Sequence, residues 1–212
     1  MFKNLQKGFT LLELLIVITI LAILTLVVVL FINPVEMLKK ARDVQRMSDM
    51  AVLRTAIVLY LQDRPANTLT GCAASAPAAT SSQWVSVPSD GTDLFTATGY
   101  GSTTAANYTQ NNNTGWVRVN FASVASSSSP PVAKLPIDPV NQTGATADSA
   151  TADTYYYRYA CLTNNTFEID ATLESTAYVT DDAKAAKDGG NSTYRYEVGT
   201  NLNVLPAGAP AN

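Results

Sequence analysis

A single carboxylate, Glu13, stands near the start of a run of apolar residues in which positions 14–32 carry no charge. A carboxylate can move protons, hold a metal ion or pair with a cation. The first two tasks need partners, and the sequence supplies few. There is no histidine, which removes the usual general base, the triads built on it and the commonest metal ligand. No Gly-x-Ser-x-Gly elbow or phosphate-binding glycine loop occurs. Cys72 and Cys161 are too few for a four-cysteine zinc site, and pair only in an oxidising compartment. Asp138, Asp148, Asp153, Asp181, Asp182 and Asp188 have the oxygen chemistry that calcium takes. They lack a D-x-D-x-D-G run, so a solvated acidic surface is the weightier reading and no cofactor is expected. What remains for Glu13 is charge pairing.

The element that carries Glu13 is set by composition. Counted over residues 9–32, a helix would be roughly 36 Å long, enough for a hydrocarbon core of about 30 Å. Thr19 and Thr25 are the polar residues inside the run, and a threonine hydroxyl can bond back to its own helix. Lys3 and Lys7 precede the run, while Lys39, Lys40 and Arg42 follow it. A cleaved secretory signal fits poorly, because the run is too long and no A-x-A site follows. A plain membrane anchor fits the length but leaves Glu13 unexplained, unless headgroups and the positive end of the helix make it tolerable there. A cut between Gly8 and Phe9 explains more. It would create an amine four residues before the carboxylate. That amine could reach Glu13 within one helix or from a neighbouring helix in a bundle. Such a desolvated pair would set the axial register of parallel rods.

At these residues the chain resembles type IV pilins and pseudopilins. Lys7-Gly8-Phe9-Thr10-Leu11-Leu12-Glu13, ahead of a long apolar run, is similar to their class III signal. The resemblance implies cleavage after Gly8 and methylation of the new amine on Phe9 by a prepilin peptidase. It also implies subunit docking through Glu13 and Phe9, with the basic leader on the cytoplasmic side. One departure is visible: the proline that often interrupts the apolar stretch comes here at its end, as Pro34. A kink or melted turn is expected there.

Residues 35–62 contain no glycine or proline. Val44, Met47, Met50, Leu53, Ile57 and Tyr60 recur at helical spacing, which predicts an amphipathic helix with that stripe in a core. Arg42 and Arg46, among acidic neighbours, read either as a solvated face or as partners between subunits of a fibre. Beyond residue 63 the composition turns to Ala, Ser, Thr, Asn and Gly, with 13 acidic against 7 basic residues over 63–212. An acidic domain of this kind argues against a generic nucleic-acid binder. Segments 116–121, 155–160, 166–171 and 194–198 are predicted strands, the middle two joined as a hairpin. Within them Val117, Val119 and Phe121, and likewise Phe167, Ile169 and Ala171, share one face. Segments 135–141, 155–159, 167–175 and 196–202 resemble the sheet region of bacterial pilins more loosely.

The expected architecture is α+β: a ladle-shaped pilin fold, with a long N-terminal helix packed on a small antiparallel sheet. Its parts are a leader (1–8), a transmembrane or fibre-core helix (9–33), an amphipathic helix (34–63) and an extracellular sheet domain with long loops (64–212). A bridge between Cys72 and Cys161 would tether the first loop to the sheet. The resemblance implies a non-enzymatic structural subunit of a type IV pilus, the major subunit included, serving adhesion, motility or DNA uptake. Before assembly it would be a single-pass protein of the cytoplasmic membrane, and afterwards part of a cell-surface fibre of identical copies. An assembly ATPase and a membrane platform protein are implied partners. The alternatives are a type II secretion pseudopilin, with a calcium site, and a membrane-anchored binding module.

Overall fold

The computed structural model describes residues 8–63, 68–78, 82–88, 103–124, 129–141 and 155–207, the side chains of residues 30 and 32 excepted. The chain divides into two units, Met1–Lys39 and Lys40–Asn212. In the first, helix α1 (Leu11–Ile32) is opened by a reciprocal cap. Thr10 is extended, its Oγ1 accepts the Glu13 N–H at 3.2 Å, and the Glu13 carboxylate accepts the Thr10 N–H at 3.0 Å. Two of the four N–H groups that a helix start leaves without partners are satisfied in this way. The Thr19 and Thr25 hydroxyls donate to Ile16 O and Leu21 O at 2.8 and 2.7 Å, so the interior of the run presents no unmet donor.

Helix α1 stops because Pro34 follows. A residue before proline is pushed out of the α region, and Asn33 adopts the left-handed conformation, with φ 44°. Helix α2 (Pro34–Asp63) starts at once, with proline in the first position, where its missing N–H costs nothing. Asn33 serves both helices: its backbone O and its Oδ1 accept the Glu36 N–H, at 3.1 and 3.4 Å.

The second unit is built on a four-stranded antiparallel sheet. Its strands β1 (Gln83–Val85), β2 (Tyr157–Cys161), β3 (Phe167–Thr172) and β4 (Arg195–Gly199) lie in sequence order. Tyr159 pairs with Ile169, and Ile169 with Val198. Aromatic and β-branched residues therefore line up across three strands on one face. Tyr157, Tyr159, Cys161, Phe167, Ile169 and Ala171 cluster there with Met50, Leu53, Ala56, Ile57 and Tyr60 of α2. The α2 stripe differs from expectation at its start. Val44 is 48% exposed and Met47 only half-buried, while Asp43 and Arg46 are fully buried instead. Strand β1 was not expected from the sequence, and its three residues are too few for periodicity to register.

Segment 116–121 is not a strand. Its alternation would require one covered face, but Trp116 and Val117 are both fully buried. The backbone turns at this point: Val119 N donates to Val117 O, and Trp116 Nε1 donates to Pro136 O at 2.9 Å. Phe121 then begins a short 3-10 turn, Phe121–Ser123. The hydrophobic residues thus join the core from a looped segment.

Cys72 and Cys161 form a disulfide across 89 residues. At the β4 edge, the outward N–H groups of Arg195 and Glu197 are taken by Ser192 Oγ (3.1 Å) and Asp188 Oδ2 (2.7 Å). Leu53→Ala should lower the unfolding free energy by about 2–5 kcal/mol, because it opens a cavity under the sheet. The neighbouring half-exposed Val52→Ala should cost less than about 1 kcal/mol. Denaturant midpoints at unchanged m-values measure both.

Candidate functional site

The N-terminal segment is built from few contacts. Gly8 precedes the cap, and a Cβ placed on it would meet nothing within 4 Å. Its φ also lies outside the left-handed range, so the fold makes no demand for glycine at this position. Phe9 is 88% exposed. Glu13 sits in the first turn of α1, and its Oε2 accepts both the N–H and the hydroxyl of Thr10, each at 3.0 Å. Its Oε1 has no partner among the described residues. The carboxylate is thus oriented by its own chain and retains an oxygen for an outside cation. The capping role of Thr10 was written in the sequence as Thr-x-x-Glu, a pattern that reports a helix start independently of any docking role. Among the described residues, none of Leu11–Val29 is buried.

In the second unit, the structure assembles an ionic cluster where the sequence offered two other readings. Arg46 is neither solvated nor left for another subunit: it is fully buried and paired within the chain. Its Nε and Nη2 fork onto Asp138 at 2.7 and 2.9 Å. Its Nη1 reaches Asp43 and Glu174, each at 2.7 Å. Its guanidinium lies over the Tyr155 ring, 4.7 Å from the centroid. Arg42 likewise forks onto Glu174 at 2.6 and 2.7 Å. Asp43 also accepts the N–H groups of Glu174 and Ser175 and the Ser175 hydroxyl. Burial works against the charge on Arg46, but its bonds to Asp138, Glu174 and Asp43 outweigh it and push the guanidinium above its ordinary value. Burial likewise opposes the charge on Glu174, and bonds from Arg42 and Arg46 hold its carboxyl below the usual range. With both oxygens of Asp43, Asp138 and Glu174 engaged, the cluster is a structural clamp between α2 and the segments around Asp138 and Glu174.

The clamp also answers the calcium question for one loop aspartate, because Asp138 is committed to Arg46. Asp182 pairs with Lys184 at 2.8 Å, and Asp188 accepts the N–H groups of Gly190 and Glu197. Asp148 and Asp153 lie outside the described residues. Among the described residues, no group of three or more His, Cys, Asp or Glu is placed to hold a metal ion.

Residues 3–29 match the family model described as the prokaryotic N-terminal methylation motif. This class III signal is characteristic of type IV pilins and pseudopilins, a structural rather than an enzymatic class. The apolar helix and the small antiparallel sheet are consistent with the pilin fold, and the helix fits membrane anchoring. No curated protein and no solved structure matches the chain.

Arg46→Ala would leave three carboxylates facing an emptied site, and should cost about 3–5 kcal/mol of stability. Because the Glu174 carboxyl is held below its ordinary 4.5, its contribution is present above that pH. It is lost as pH falls through the lowered value. Melting temperature should drop on acidification below that point, and Glu174→Gln should lose this part of the acid limb.

Proposed function

We propose that the chain is a structural subunit of a type IV pilus. A prepilin peptidase removes residues 1–8 and methylates the amine of Phe9, and the subunit waits in the cytoplasmic membrane on its apolar helix. It then assembles with identical copies, driven by an ATPase and a membrane platform protein, into a surface fibre. The observation that carries this reading is the pairing of two features on α1. Its apolar span is unburied, and the rim carboxylate Glu13 keeps one oxygen without a partner, both among the described residues. A new amine on a neighbour's Phe9 is the complementary group. Transfer from lipid to a bundle exchanges one apolar surrounding for another, so packing and this ion pair must supply the preference. The empty space around Gly8 adds support, because a glycine the fold does not require is accounted for by the enzyme that cuts beside it. An exposed apolar groove on α2, lined by Ala51, Val52, Thr55 and Leu59, offers further surface for a second copy.

The pseudopilin of a type II secretion system is the second reading, favoured by the acidic loops. It predicts a melting temperature that rises with calcium. Asp138, Asp182 and Asp188 already have donors from their own chain, which weighs toward the pilus.

Mass spectrometry of sheared surface filaments should find a mature chain that begins at methylated Phe9. A filament built from chains still carrying residues 1–8 would overturn the reading. Gly8→Val should leave the precursor uncut. Glu13→Ala should insert into membranes normally yet yield few or no filaments, and normal piliation would remove the docking role of the carboxylate.

A further inference from the structure

The sheet face turned away from α2 is sealed, although its residues are charged. Arg158 on β2, Glu168 and Asp170 on β3, and Arg195 and Glu197 on β4 are all at most 3% exposed. Asp170 is satisfied: Arg158 and Arg195 both donate to it, the latter at 2.8 Å. That leaves two guanidinium charges against three carboxyls, and a buried face of this kind is stable only near neutrality. Glu168 and Glu197 are diagonal neighbours, since Glu168 pairs with Gly199 and Asp170 with Glu197. Each keeps a buried Oε1 that no donor reaches. Two carboxylates cannot share a hydrogen bond without a proton between them. Two ligands are also too few for a metal ion, and Asp188 has both oxygens engaged by the N–H groups of Gly190 and Glu197.

The pair sits under the end of the described chain. Glu168 Oε2 accepts the N–H groups of Val204 and Leu205 at 2.7 and 2.8 Å. Arg158 donates to Pro206 O at 3.2 Å, and Asn191 to Leu205 O at 3.1 Å. Val204 and Leu205 are fully buried, packed with Ala73, Ala78, Ala160 and Leu162. On the other side, Glu197 Oε2 accepts the Ser192 N–H. It lies so close to Gly190 that a Cβ there would sit 1.8 Å away.

We propose that one proton shared by Glu168 and Glu197 is the latch that holds residues 200–207 against the sheet, and that its loss in alkaline surroundings releases this strap. With the proton, the face is neutral. Without it, two adjacent anions are buried, and the strap is the part that can lift to admit water. The other charged groups do not substitute for the proton. Arg158 and Arg195 are committed to Asp170. Asp188 adds to the negative side. Arg54, Lys184 and Lys187 stand around an open pocket beside Glu197 rather than between the carboxyls. Burial, the neighbouring Glu197 carboxyl and the nearby Asp170 push the Glu168 carboxyl up to about 9 from 4.5, against the pull of the Leu205 N–H. The folded chain therefore holds a proton that the unfolded chain releases. Stability falls as pH climbs through that window and levels off above it.

Hydrogen exchange of the full chain in detergent micelles tests the latch, read as the protection of peptide 200–207 relative to its unstructured exchange rate at each pH. Between pH 6 and pH 10 that protection should fall about tenfold or more, while peptides within β2 and β3 change less. Glu168→Gln keeps an oxygen for the two backbone donors and an amide to donate to Glu197, so its strap should stay protected throughout. If that variant fails to fold, Glu197→Gln should show the same flat profile. Constant protection in the wild type, or an equal fall in a folded variant, would overturn the proposal.

Discussion

Among the described residues, the apolar span of helix α1 has no buried side chain. That span is 19 residues long, and water is a poor solvent for it. Everything else follows from that constraint. A helix of this kind suits lipid or an apolar bundle, where backbone and threonine donors have to be satisfied internally, as they are here. The one group that could not be made apolar is placed at the rim. The reciprocal bonds between Thr10 and Glu13 make the acid tolerable there without using it up. A surface that is interchangeable between membrane and bundle suits a part that must pass from one to the other.

The second unit solves a different problem. Ala, Ser, Thr and Asn dominate its loops, and these bury little apolar area. The fold compensates by fixing the loops from inside. The fork of Arg46 onto Asp138, the clasp of Asp43 on Ser175 and the disulfide at Cys161 each tie a long excursion to the helix or the sheet. Buried ion pairs of this kind add little net stability against a well-packed apolar alternative, but they are costly to break. What they contribute here is one defined position for each loop.

The legible parts of the sequence were those governed by local periodicity. The apolar run, the helix over 35–62, the hairpin around residues 162–166 and the strand near residue 196 all follow from spacing and turn chemistry. The break at Pro34 follows from the sterics of one residue pair. The misreadings share a cause. Arg46 looked like a surface charge because its decisive partner, Asp138, is 92 residues away, and no local pattern reports a distant carboxylate. Val117, Val119 and Phe121 alternated as in a strand, yet Trp116 is buried too, which alternation cannot foresee. Alternation puts Glu168 and Asp170 opposite Phe167 and Ile169 but does not report their burial, because the strap that seals that side is remote in sequence. At the N-terminus, the candidate residues Gly8, Phe9 and Glu13 come from local spacing, and the Thr-x-x-Glu cap that orients Glu13 lies in the same few residues.

The blocked border of β4 bears on crowding. A bare strand at the rim of a sheet is a template on which another chain can zip, and the hazard grows with local concentration. In the proposed fibre, neighbouring copies would lie side by side at high local concentration. By occupying the outward amides of Arg195 and Glu197 with Ser192 and Asp188, the molecule withholds that template along this border. In the proposed fibre, cohesion would then fall to interlocking side chains, which can part again without unravelling a hydrogen-bonded ladder. A polymer of that kind could be taken apart into intact monomers and built anew.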